Sequence, residues 1–328
     1  MFAFSAILSG LILNPYKMLT DPEQLYKPVL LFSFALTILC IEGQQYAKDI
    51  IVESPSSALP ITTPLAQTLG GLFVGYGTHL AGGCELGHGV CGFGRGSSRS
   101  VYAFGVFLLT GICTTCWMTT KTSIIGNCTE GWLRTDIPAS QNEALGLLLF
   151  FIMIVTTAFS FLVLPDPPLQ KVPAAVFSGA LFACGLAASQ WILPSRLFGF
   201  FNVYGILHGN WDLNFVLAWS AAIMTSFVSY RYIPDDSTHV PKDQCLTKPI
   251  CGTEFAIPAN AKVDEDLLYG SALFGVGAGL SGLCPGSALY LAVAGDWRVI
   301  MYHWPAFIVG VHAAQLYKDS KAEKIKEQ

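Results

Sequence analysis

The chain has 328 residues, of which 52% are hydrophobic and only 12% charged, with a mean hydropathy of +0.52 and a formal net charge of −4. Soluble domains carry about 25% charged residues, so this chain cannot cover a water-facing surface, and lipid is its expected solvent. The small acidic balance excludes a basic nucleic-acid face, and ten cysteines fall short of a disulfide scaffold.

The N-terminus, MFAFSAILSGLILNP, lacks a charged leading region and reads as a short or tilted first helix, not as a cleaved signal. Apolar segments follow in order at 2–14, 28–43, 66–83, 101–119, 143–164, 172–193, 212–230, 266–282 and 303–317. Several are short and broken by glycine or proline, the pattern of interrupted helices around a binding site in a membrane. Cys113 and Cys116 form a CxxC inside the fourth segment and read as small packing residues; His312 in the last segment also reads as packing. Cys245 and Cys251 fall in a polar loop that gives them no role. Placing the C-terminal KDSKAEKIKEQ in the cytoplasm puts 13 of the 18 Lys and Arg on the inside. The positive-inside rule asks for such a bias. The sequon Asn127-Cys128-Thr129 then lies in an outside loop.

A shift of 200 residues lays VGYGTHLAGGC (74–84) on FGVGAGLSGLC (274–284), matching Gly75, Gly77, Leu80, Gly82 and Cys84 to Gly275, Gly277, Leu280, Gly282 and Cys284. A fainter match at offset 179 lays SGLILNPYKML (9–19) on ASQWILPSRLF (188–198), pairing Pro15 with Pro194 and Lys17 with Arg196. Two units of four segments, joined by the fifth, are separated by an odd number of crossings and therefore point in opposite directions. The expected fold is an all-α integral membrane protein of about nine transmembrane or half-membrane helices. They form two inverted four-helix repeats, with helices broken at the midplane. Residues 1–317 form one transport domain: repeat one at 1–119, a linking helix at 143–164, repeat two at 172–317. Residues 318–328 are a charged cytoplasmic tail.

The chemistry concentrates in two loops. In Gly82-Gly83-Cys84-Glu85-Leu86-Gly87-His88-Gly89-Val90-Cys91, glycines let the backbone turn and approach a ligand. Irregular backbone at that depth survives only where protein or a wet cavity satisfies it. In Gly282-Leu283-Cys284-Pro285-Gly286-Ser287, proline opens a helix whose free N–H groups carry partial positive charge and suit an anion. A thiol is small, polarisable and both donor and acceptor. Cys84, Cys91 and Cys284 with Gly83, His88, Pro285, Gly286 and Ser287 are therefore candidates to line a substrate path, with neutral thiols as the working form. Arg95 and Arg99 read as an anion-attracting vestibule, and Glu85 as a costly intramembrane charge at its rim. Ser97, Ser98 and Ser100 read as helix caps.

Three other readings stay open. A membrane sulfurtransferase would form a persulfide on Cys84 or Cys284 with His88 as base. A soft-metal transporter would use His79, His88, Cys84 and Cys91, although the second loop supplies no histidine or carboxylate. A structural membrane subunit would need none of these side chains. No nucleotide-binding motif occurs, and no cofactor, resident metal or enzymatic activity is expected.

GGCELGHGVCGFGRGSSRS, GAGLSGLCPGSALY and GNWDLNFVLAWSAA together resemble the YeeE/YedE family of sulfur transport membrane proteins, in its half-length form fused into one chain. The resemblance spans nearly all of residues 1–317, and its GHGxCG and CPG loops are the specific parts. It implies thiosulfate uptake into the cell across the plasma or bacterial inner membrane. The implied shape is an hourglass whose inverted half-helices present cysteines along the path, with a cytoplasmic sulfur-handling partner. Cys84, Cys284 and Cys91 fall on the family's loop cysteines. Two departures stand out: Leu11 and Ile12 are aliphatic where longer members carry a further cysteine, and CPGSA replaces the commoner CPGPA.

Overall fold

The computed structural model of the chain describes residues 12–14, 26–49, 63–121, 167–189, 191–208, 211, 213–231 and 262–326. The linking helix expected at 143–164, most of 2–14, the sequon, and Cys245 and Cys251 lie outside the described residues. Within them every regular element is helical and none is a strand. The helices are α1 (Tyr26–Asp49), α2 (Pro64–Ala81), α3 (Ser98–Lys121), α4 (Pro167–Ala188), α5 (Pro194–Phe201), α6 (Tyr204–His208), α7 (Leu213–Arg231), α8 (Glu265–Ser281), α9 (Pro285–Val293) and α10 (Trp304–Lys326). Two π-helical segments, Leu86–Gly92 and Val299–His303, precede α3 and α10.

Helices α2 and α8 are built alike. The Thr63 hydroxyl caps α2 by accepting from the Ala66 amide, and the Asp264 carboxylate caps α8 by accepting from the Leu267 amide at 2.9 Å. Such caps satisfy donors that a helix start leaves over. Both helices end on a glycine in the left-handed region, Gly82 at φ +74° and Gly282 at φ +69°, where a side chain would be strained.

These two helices cross antiparallel, backbone on backbone. A methyl group on Gly77 would stand 2.5 Å from the Gly270 carbonyl, and one on Gly277 would stand 2.8 Å from the Gly70 carbonyl. Under the 200-residue shift Gly70 corresponds to Gly270 and Gly77 to Gly277, so the crossing maps onto itself when the helices are exchanged. The same shift relates their outer neighbours. Gly75 lies against the Phe307 carbonyl of α10, and Gly275 against the Phe107 carbonyl of α3. Small residues at such contacts let helices approach where no hydrophobic force drives them together. To one side, α1 and α4 pair through Ser33, whose hydroxyl donates to the Val176 carbonyl at 2.6 Å, and through Gly179.

Polarity is arranged for lipid. Large apolar side chains point outward: Phe32 on α1, Leu109 and Trp117 on α3, Met224 on α7 and Leu316 on α10. Gln67, Thr115, Ser281 and His303 are buried. Among the described residues, Ser98–Met118, at a mean hydropathy of 1.6, is long and apolar enough to cross a membrane by itself. Helices α8 and α9 reach that length and apolarity only together, as a pair bent by 40° at Gly282–Cys284.

Charges gather at one end of the bundle, where α2 and α10 finish and α3 and α8 begin. Arg99 donates to the Lys262 carbonyl and stands 3.3 Å from Asp264. Lys318 donates to the His79 carbonyl at 2.6 Å, and Lys321 pairs with Asp266 at 2.7 Å. Burial alone would raise the Asp264 pKa, but the Leu267 amide and Arg99 outweigh it and hold the carboxyl below its usual range. Helix α10 runs unbroken through Lys326, because Lys318 and Lys321 tie its last turns to α2 and α8.

Candidate functional site

The second loop caps its own helix. The Cys284 amide donates to Ser287 Oγ at 2.9 Å, while Cys284 Sγ accepts from the Ser287 amide at 3.5 Å. Proline at position 285 has no N–H to offer. Among the described residues this leaves the Gly286 amide as the first-turn donor without a partner, fewer than the sequence suggested. Ser287 Oγ also lies 3.3 Å from Cys284 Sγ. Gly286 packs near Phe182 and Leu186 of α4.

The first loop delivers a carboxylate to that thiol. Cys84 lies in its extended turn, with its carbonyl accepting from the His88 amide at 2.9 Å. Glu85 follows, and its side chain lies beside the Cys284 thiol. A chain of contacts therefore runs from Ser287 Oγ through Cys284 Sγ to Glu85. Glu85 is 8% exposed, and its Oε2 has no hydrogen-bond partner. The loop is held from behind: His88 Nδ1 is 3.3 Å from Ser100 Oγ, and Gly89 leaves no room for a side chain beside Trp219 and Phe104. Ser100, read as a cap from sequence, is thus a partner of His88.

Beyond this junction Cys91 faces a cavity of about 270 Å³ bounded by Leu86 and Val90 of the π-helical segment, Phe182 and Leu186 of α4, Trp191, and Ala218 of α7. Phe182 and Leu186 are also the nearest side chains to a methyl placed on Gly286, so the cavity lies near the second loop. The buried indole Nε1 groups of Trp191 and Trp219 have no acceptor. An unmade buried hydrogen bond costs about 1–3 kcal/mol; of the two, Trp191 borders the cavity.

The structure therefore brings Cys84, Glu85, Cys284, Pro285, Gly286 and Ser287 together, with Gly83, His88 and Cys91 on the adjoining segment. Arg95 follows Cys91 by one turn, its amide donating to the Cys91 carbonyl at 3.1 Å. Arg99 is engaged with Asp264, and Arg95 is half-buried after the π-helical segment. Cys113 is exposed, while Cys116 Sγ lies 3.9 Å from the Phe201 carbonyl; His312 is exposed, not packed. Among the described residues no three His, Cys, Asp or Glu side chains converge as metal ligands. Sequence reasoning placed Glu85 at the rim and missed its partnership with Cys284. Its lone carboxyl beside an intramembrane cysteine was the available signal.

A probable transporter of Xylella fastidiosa (strain Temecula1 / ATCC 700964) is 30% identical over 128 residues, covering 39% of this chain and 78% of that protein. One from strain 9a5c matches at the same identity over 79% of its length. The chain belongs to this family of probable transporters. A further probable transporter of strain 9a5c is 41% identical over 64 residues, 20% of this chain and 47% of that protein. Residues 170–326 also match a family of unknown function (DUF6691). No solved structure matches the chain.

Proposed function

We propose that the protein carries thiosulfate or a similar small sulfur-containing anion into the cell through a path lined by Cys284, Cys84 and Cys91. The observation that carries this reading is the junction itself. A buried thiol sits between a hydroxyl and a carboxyl at the start of α9, next to a cavity bordered by a second thiol, Cys91, and by Trp191. The polarisable sulfurs suit the soft end of such an anion, and N–H groups suit its oxygens. Membership in a transporter family and the apolar outer surface support carriage across a membrane.

The self-mapping α2/α8 crossing supports an inverted repeat with its pseudo-two-fold axis in the membrane plane. In this reading residues 1–317 form one transport domain of about nine full or half crossings. The basic end of the bundle, with Arg99, Lys318 and Lys321, faces the cytoplasm. The anion meets Cys284 and Cys84 first, passes Cys91 and leaves past Arg95, while Arg99 braces that mouth through Asp264.

The test is uptake of radiolabelled thiosulfate into liposomes that hold the purified protein. Wild type is expected to take it up, and Cys284→Ala to lower the rate at least tenfold while eluting as a monodisperse protein. Equal uptake by the two would remove Cys284 from the path. A folded wild type that takes up none would remove thiosulfate as the substrate.

A further inference from the structure

We propose that Glu85 is a proton site, and that the protein moves its anion together with a proton. This inference rests on the reading of the junction as an anion path. Glu85 is buried beside Cys284, which contributes its thiol and no charge. Among the described residues no Lys or Arg lies within ion-pair distance of it, and its own segment adds Cys84, His88 and Cys91. The nearest arginines by sequence, Arg95 and Arg99, follow the π-helical segment, and Arg99 is held by Asp264.

A bare carboxylate so placed loses water and gains only the neighbouring thiol and its own backbone amide, which is poor compensation for a buried charge. The free Oε2 atom sharpens the point. Ionised, it is an acceptor with no donor. Protonated, it is a donor with no acceptor until an anion arrives. An oxyanion docking at the start of α9 would be repelled by the ionised form and hydrogen-bonded by the protonated one, so proton and anion bind each other's preferred state. In the cycle, the Glu85 carboxylate takes a proton from the outside water and the anion docks against Oε2–H and the Gly286 amide. After passage the proton returns to the cytoplasmic water. One proton moves per anion, and no bond other than O–H forms or breaks. The position has no counterpart in the other repeat, where proline stands at 285, so a single site is expected.

The experiment follows thiosulfate uptake into liposomes at clamped zero membrane potential, with and without an interior one pH unit more alkaline. With one proton per anion, wild type is expected to accumulate about tenfold more thiosulfate with the gradient than without it. In Glu85→Gln that ratio falls to about one, whatever the variant's own rate, and in Glu85→Asp it stays above one. Wild-type uptake that ignores the gradient, or responds to sodium instead, overturns proton coupling and leaves thiosulfate carriage standing. A Gln variant that keeps the tenfold response overturns the assignment to Glu85. If wild type carries no thiosulfate, the substrate reading fails, and infrared spectroscopy decides the proton site by itself. A carboxylic-acid band at neutral pH that Glu85→Gln removes supports the site, and the absence of any such band overturns it.

Discussion

The two cysteine loops start alike and end differently. Each follows a helix of the same repeat, turns on a left-handed glycine and reaches a buried cysteine two residues later. One residue further, repeat two has Pro285 and repeat one has Glu85. Proline sets φ for a helix start, and α9 begins at once with Ser287 and Cys284 capping each other. Glutamate brings no such constraint, and Gly87, Gly89 and Gly92 follow it. The chain winds into a wider π-helical segment that carries His88 and Cys91. Such segments are rare and concentrate at functional sites. One loop thus supplies a fixed thiol and a helix start, and the other supplies the carboxyl and the second thiol.

The largest expected effect tests what the repeats share. Gly77→Leu and Gly277→Leu should each prevent stable folding, because the nearest atoms at the crossing are backbone and cannot move aside. Overpacking even a deformable core costs about 1–3 kcal/mol. Detergent-resistant thermal unfolding should fail for both; survival of one alone would break the equivalence. Next comes a difference between the turns. A methyl on Gly282 would meet Phe198 and Pro194, whereas one on Gly82 would meet nothing within 4 Å. Gly82→Ala should cost only the left-handed strain, about 1–2 kcal/mol. Gly282→Ala should cost about 1–3 kcal/mol more, read as a lower midpoint in the same assay.

Ser287→Ala sharpens the comparison at the thiol. It removes the acceptor for the Cys284 amide and should cost about 1–2 kcal/mol, while Gly87→Ala, at the matching position and in open space, should cost less. The smallest effect separates the helix starts by pH. Thr63→Ala and Asp264→Ala should each cost about 1 kcal/mol at neutral pH. The folded pKa of Asp264 is depressed, so its contribution is fully present above the ordinary value of 3.8 and is lost as pH falls through the lower folded value. The Thr63 contribution has no such dependence. The gap between Asp264→Ala and wild type should therefore close in acid while that of Thr63→Ala persists. Parallel behaviour of the two would show that Asp264 acts only through packing.

The sequence made several of these elements legible. The apolar segments at 66–83, 101–119, 212–230 and 266–282 lie within a few residues of α2, α3, α7 and α8, because lipid-facing helices write their length into composition. The shared GxG…LxGxC string marked both turns and both cysteines. The helix start at Pro285 followed from proline itself. The π-helical winding of Leu86–Gly92 left no such mark, since its glycines are equally compatible with a loop. The role of Ser100 was misread for a related reason: local spacing suggested a cap, whereas its hydroxyl lies against His88 across the turn. Arg99 looked like a free vestibule charge because Asp264, its partner, is 165 positions away.

By itself, then, the amino-acid sequence determined the helical class, the string shared by the ends of α2 and α8, and which residues are thiols at those helix ends. Each of these depends on composition or on spacings of a few residues, where 3.6-residue periodicity, glycine and proline act directly. Only the tertiary structure decided that Glu85 meets Cys284, that α2 and α8 exchange glycines across one crossing, and that Cys91 opens on a cavity bounded by α4 and α7. Those facts depend on close approach between segments far apart in the chain, and no local pattern specifies which buried polar atom is left without a partner.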